Sequence, residues 1–110
     1  MSPQDIADRY FAAMRQQSLD ELLAIFIDDG VIVWPDGREI AGKEAIRAAY
    51  AGLFKMPTNN PEPGPLMTGP DRFAAQVLSR LPDGSERRTL NVFQLDATGL
   101  IARMSSYRQG

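Results

Sequence analysis

The chain has 110 residues, a formal net charge of −2, no cysteine and no histidine. That length fits one domain over residues 1–110, able to bury roughly 65% of its unfolded surface without staples. The missing residue types exclude disulfides, thiolate or imidazole metal sites and every Ser-His or Cys-His nucleophile, leaving carboxylates, Tyr, Lys and Arg for acid–base chemistry.

Ser2-Pro3-Gln4-Asp5 has the form of a capping box with proline at the first helical position, so a helix is predicted from about residue 3. Its inward stripe is Ile6, Tyr10, Ala13 and Met14. Ser18-Leu19-Asp20-Glu21 is a second capping box, launching a short helix that turns Leu22, Leu23 and Phe26 inward, closes with the solvated pair Asp28-Asp29 and stops at Gly30. A short strand over residues 31–34 follows, ended by Pro35-Asp36-Gly37, with a partner strand over 38–40. After Gly42, Ile46, Ala49, Tyr50, Leu53 and Phe54 repeat at helical spacing and should pack on the sheet. Five of the eight prolines then fall within residues 57–70, which predicts an extended connection, a brief strand over 66–68 and a lid or rim.

Residues 73–107 read as three antiparallel strands. Asp83-Gly84 between two apolar runs is the strongest hairpin signal in the chain, and a symmetric hairpin about it pairs Leu78 with Thr89, Gln76 with Asn91 and Ala74 with Phe93. The second turn, Asp96-Ala97-Thr98-Gly99, brings Met104 and Ser106 to the same face, or Ser105 if the register shifts by one. That face then carries Gln76, Leu78, Thr89, Asn91, Phe93, Met104 and Ser106, an apolar surface with uncharged hydrogen-bonding groups near its middle, as a ligand pocket requires. The opposite face, with Val77, Ser79, Leu90, Val92, Ile101 and Tyr107, is apolar enough to call for a second copy, so a homodimer is expected. The predicted architecture is α+β: a cone-shaped half-open barrel, with three N-terminal helices packed in a strongly curved, mainly antiparallel sheet.

Four stretches stand in a telling order: Arg9-Tyr10-Phe11-Ala12-Ala13, Leu23 through Asp29 leading into a strand that ends at Pro35, Gly42 with Ala45-Ile46-Arg47, and Asn91-Val92-Phe93-Gln94-Leu95 before a glycine turn. With the order of elements, they resemble the nuclear transport factor 2-like superfamily, in particular its SnoaL-like branch with ketosteroid isomerases, polyketide cyclases and limonene-epoxide hydrolases. The resemblance to ketosteroid isomerases implies oxyanion donors at Tyr10, on the first helix, and at Asn91, which stands where those enzymes carry a protonated aspartate; the handling of a neutral carboxylic acid as donor is their established feature. The isomerase base position is Trp34, whose indole cannot take a proton from carbon. The resemblance to limonene-epoxide hydrolases places their charged triad on Gln76, Ala74 and Ser106, none of which is charged.

The candidate catalytic residues are therefore Tyr10, Asn91 and, as a displaced base two residues beyond Trp34, Asp36. The candidate ligand-binding residues are Met14, Trp34, Gln76, Leu78, Phe93, Met104 and Ser106. Arg80, Arg87 and Arg108 gather near one end of the sheet, either as a solvated edge or as an anion clamp. The expected ligand is a small, largely apolar molecule in the cone; no metal or cofactor is implied. No basic stripe marks a nucleic-acid partner, no apolar run approaches the roughly 18 residues of a membrane span, and the polar start points to the cytoplasm. Two other functions fit the same residues: a hydrolase or isomerase using a displaced carboxylate, and a non-catalytic dimerisation or partner-binding module.

Overall fold

A computed structural model describes residues 2–55 and 61–108. Helix α1 is Pro3–Gln16, α2 is Leu19–Leu23 and α3 is Lys43–Lys55; the strands are β1 (Phe26–Val33), β2 (Glu39–Ala41), β3 (Glu62–Pro63), β4 (Met67–Thr68), β5 (Arg72–Arg80), β6 (Glu86–Leu95) and β7 (Ile101–Arg108). The seven strands form one curved, unclosed sheet in the order β2-β1-β7-β6-β5-β3, with β4 also on β5. Every pairing is antiparallel except β1 with β7.

Both predicted N-caps form, the first as a full capping box and the second through its serine alone. Ser2 Oγ accepts from the Asp5 N–H while Asp5 accepts from the Ser2 N–H, and Ser18 Oγ accepts from the Glu21 N–H. Such caps satisfy N–H groups that a helix start leaves without partners. The inward stripe of α1 is Ile6, Ala7, Tyr10, Phe11 and Ala13, and that of α3 is centred on Ile46 and Tyr50.

The second helix is shorter than expected, and the first strand correspondingly longer. α2 ends at Leu23, and Phe26 already pairs with Ile101. Ile25, Ile27, Val31, Ile32 and Val33 are β-branched, a class that loses side-chain freedom in a helix and packs well on a pleated surface. Asp28-Asp29 therefore lies exposed on β1 rather than closing a helix. Gly30 is not a helix stop either; it sits where the β1–β7 register shifts, and a Cβ there would stand 3.2 Å from the Ile27 carbonyl oxygen.

The hairpin register differs from expectation in a way that matters for the cavity. β5 and β6 pair Ala75 with Asn91, Val77 with Thr89 and Ser79 with Arg87, one residue away from the symmetric register. Proline explains the slip. A two-residue turn of the expected kind needs positive φ at both central positions, whereas Pro82, fixed near −65°, suits the second position of a type I turn. Gly84 alone takes positive φ, 88°, and the loop becomes three residues, with Gly84 N–H donating to Leu81 O and Leu81 N–H to Ser85 O. The same hydrogen-bond pattern recurs at Trp34–Arg38 and at Asp96–Leu100.

A one-residue slip turns a strand over. Gln76 and Leu78 consequently lie on the outer face, Gln76 exposed, while Phe73, Ala75 and Val77 are buried inside. On β7 the correction is two residues, Asn91 facing Ser106 and Phe93 facing Met104, which preserves the face. Ile101 is also interior, wholly buried. The outer face thus presents Leu78, Leu90, Val92 and Tyr107 among Gln76, Arg80, Arg88, Gln94 and Arg103, more mixed than the expected apolar surface.

Candidate functional site: a cavity in the cone

The concave face of the sheet, α1, α3 and the turn between β1 and β2 line a cavity of about 750 Å³, within the range of small-molecule sites. Met14, Trp34, Ile40, Leu53, Phe54, Val77 and Met104 give it apolar walls. Its polar groups come from Tyr10 on α1, Tyr50 on α3, and Thr89, Asn91 and Ser106 on the sheet, with Asp36, Arg38, Arg87 and Arg108 among the charged lining residues.

Tyr10 and Tyr50 are buried, with hydroxyl oxygens 2.8 Å apart. Burial raises the Tyr10 pKa to about 12 even though the Tyr50 hydroxyl lowers it, and Tyr50 is pushed well above its ordinary value by burial, then by the neighbouring Tyr10. Both remain protonated near neutrality. A hydroxyl pair consumes one of its two O–H hydrogens, so one donor remains for a third partner.

Asn91 is buried, and its Oδ1 has no hydrogen-bond partner among the described residues. An unmet buried polar group costs about 1–3 kcal/mol. The expected cross-strand relief from Gln76 is absent, because the register puts that amide on the other side of the sheet.

Asp36, the one carboxylate on the described lining, is committed to its own turn. It accepts from the Arg38 backbone N–H and the Arg38 guanidinium, both at 3.0 Å, and these hold its pKa below the usual carboxylate range, the backbone bond first.

Of the residues singled out from the sequence, Tyr10, Asn91, Asp36, Met14, Trp34, Met104 and Ser106 line the cavity. Gln76 and Leu78 do not, and Phe93 lies in the packed layer behind Tyr10, its ring centroid 4.8 Å from the tyrosine and 4.4 Å from Phe73. Sequence reasoning placed Tyr50 on an apolar helix stripe and overlooked its hydroxyl; the signal was a phenol on a face that also had to meet Tyr10. Val77 and Ser79 were assigned outside through the wrong register. Of the expected lid, Pro61 lines the cavity, while residues 57–60 lie outside the described residues. Among the described residues no group of His, Cys, Asp and Glu could hold a metal ion, and no described helix is long and apolar enough to cross a membrane.

This helix order, sheet order and concave cavity agree with a family model described as a SnoaL-like domain, which matches residues 7–104. The chain belongs to the SnoaL-like family. Several solved structures superpose closely on it. A protein from Kribbella flavida assigned as a ketosteroid isomerase has a TM-score of 0.86 at 16% identity, over 98% of this chain and 78% of that one. The epoxide hydrolase/cyclase-like enzyme SalBIII, of pyran ring formation in salinomycin, has a TM-score of 0.84 at 19% identity, over 97% and 90% of the two chains. A Sinorhizobium meliloti protein assigned as a polyketide cyclase has 0.82 at 24% identity, over 93% of each chain. At such identities the likeness establishes this SnoaL-like chain's fold and leaves its chemistry to the residues on the cavity wall.

Proposed function

We propose that this SnoaL-like cone binds a small, largely apolar molecule bearing a hydroxyl, enol or carbonyl oxygen. The observation that carries the reading is the buried Asn91 Oδ1, without a partner in the wall of an apolar 750 Å³ cavity. Oδ1 itself has almost no open surface, so the carboxamide meets a ligand by turning about χ2, which brings either its oxygen to a hydroxyl or its N–H₂ to a carbonyl, and the spare tyrosine O–H supplies a second donor.

Two neutral donor groups on the wall of a largely apolar cavity suit a reaction that builds negative charge on a ligand oxygen, as isomerase, cyclase and lyase steps do. A base mechanism through Asp36 is less well supported: the carboxylate is exposed, ion-paired to Arg38 and biased toward weak basicity. The partner-binding alternative calls for a cone filled by its own side chains, which an open cavity of this size does not favour.

The test is a thermal-shift screen with phenols, cyclic ketones, steroids and terpenoid epoxides, repeated on Asn91→Leu. The reading expects at least one phenol or ketone to raise the melting temperature, and the gain to vanish in the variant. Absence of any shift across the panel would overturn it. Homodimerisation through the outer face of β5, β6 and β7, around Leu78, Leu90, Val92 and Tyr107, belongs to the same proposal, and a sedimentation run giving only monomer at micromolar concentration would remove it.

A further inference from the structure

Arg87 and Arg108 stand on the cavity side of the sheet, in the alternation that also carries Thr89 with Asn91 and Met104 with Ser106. Thr89 pairs with Arg108, so the two guanidinium groups stem from adjacent strands at one end of this surface. Six other arginines each lie within ion-pair distance of a carboxylate: Arg38 of Asp36, Arg47 of Asp20, Arg72 of Asp71, Arg80 and Arg88 of Glu86, and Arg103 of Glu39. Arg87 and Arg108 have no such partner among the described residues.

The lining as a whole holds three arginines against one aspartate, an excess of two positive charges on a chain whose net charge is −2. Asp36 already balances Arg38, so the excess belongs to Arg87 and Arg108. Guanidinium groups bind oxyacids with paired, charge-assisted hydrogen bonds. An unbalanced positive patch beside a low-dielectric cavity also concentrates anions there.

We infer that the molecule held in the cone is an amphipathic organic anion, with its apolar body against Trp34, Met14 and Met104 and its carboxylate, sulfonate or phosphate between Arg87 and Arg108. This rests on the cavity-binding reading above and adds the ligand's charge. Asn91 and Arg87 are four residues apart on one strand, about 13 Å at ~3.3 Å per residue. The ligand's polar oxygen and its anionic group are accordingly at opposite ends of the molecule.

Two fluorescent probes with one apolar body test the inference: anilinonaphthalene sulfonate, an anion, and N-phenylnaphthylamine, which is neutral. Both are titrated into the wild-type protein, the Arg87→Gln/Arg108→Gln variant and the outer-face control Arg80→Gln/Arg88→Gln, with melting curves confirming that all three are folded. The expected result is that both probes bind, the sulfonate tighter by at least about tenfold. That preference should weaken with added salt, vanish in the cavity variant and persist in the control. The neutral probe should keep its affinity within about twofold throughout. Equal affinity in the wild type, a preference that survives Arg87→Gln/Arg108→Gln, or one lost equally in the control would overturn the anion assignment while leaving cavity binding intact. Failure of both probes to bind would instead sink the cavity reading and this inference with it.

Discussion

The buried Tyr10–Tyr50 pair makes a quantitative claim about alkaline stability. Both phenols are driven above the ordinary value near 10 by burial, Tyr10 to about 12. Because the folded-state pKa is raised, the stabilisation is fully present below about pH 10 and is lost as pH rises through the folded value. At about pH 11 the unfolded chain has released the Tyr10 proton while the native state still holds it, a loss of about 1.4 kcal/mol relative to pH 8. Tyr50, pushed up by burial and by the neighbouring Tyr10, adds to this loss in the same direction. Urea unfolding measured between about pH 8 and about pH 11 gives the wild-type slope, and Tyr10→Phe/Tyr50→Phe removes both titrations. The variant should be less stable at neutral pH by no more than about 1–2 kcal/mol, since both hydroxyls leave together, yet lose distinctly less on going alkaline. Parallel pH profiles for the two proteins would refute the reasoning, as would single Phe variants whose effects simply add.

Three further outcomes follow from the same geometry. Gly84 holds φ of 88° and an added Cβ would meet nothing within 4 Å, so Gly84→Ala should cost about 1 kcal/mol in urea unfolding purely through the backbone; an unchanged midpoint would argue against the three-residue loop. Trp34 is the chain's single tryptophan and lines the cavity, so a cavity ligand should change its emission saturably, with a midpoint matching the thermal-shift affinity, and a bound ligand that leaves the emission untouched would place it elsewhere. Asp36→Asn should leave the affinity for a neutral ligand, and the rate of any reaction found, within about twofold; a loss approaching the ~10²-fold or more typical of a general base would restore Asp36 to that role.

Much of the architecture was legible because local signals and burial pattern agreed. The two serine N-caps, the stripe on α3 and the glycine turns each place an element by chemistry that acts over a few residues. Where signals conflicted, the sequence misled: Leu22 through Ile27 reads as an apolar helix face, but Phe26 pairs with Ile101 of β7, a distant partner that no local pattern reveals. The cavity was legible in part for a sharper reason. Side-chain direction on β5 hangs on the loop length at Pro82-Asp83-Gly84, and reading Asp-Gly without its preceding proline moved Gln76 and Leu78 inside and Val77 and Ser79 outside. β6 and β7 escaped because the error there was an even number of residues. The Tyr10–Tyr50 pair joins two helices 40 residues apart, a contact set by the packing of α1 and α3 that periodicity alone does not supply.

On the proposed reading Asn91 stays unsatisfied for a ligand, at a cost to the empty protein. Urea unfolding of wild type and Asn91→Leu, with and without the phenol or ketone that gives the largest wild-type shift, tests this most directly. The empty variant should be more stable than wild type by about 1 kcal/mol or more, because an unmet buried acceptor is gone, and the ligand should no longer stabilise it. An empty variant that is less stable than wild type, or one that the ligand still stabilises in full, would contradict it.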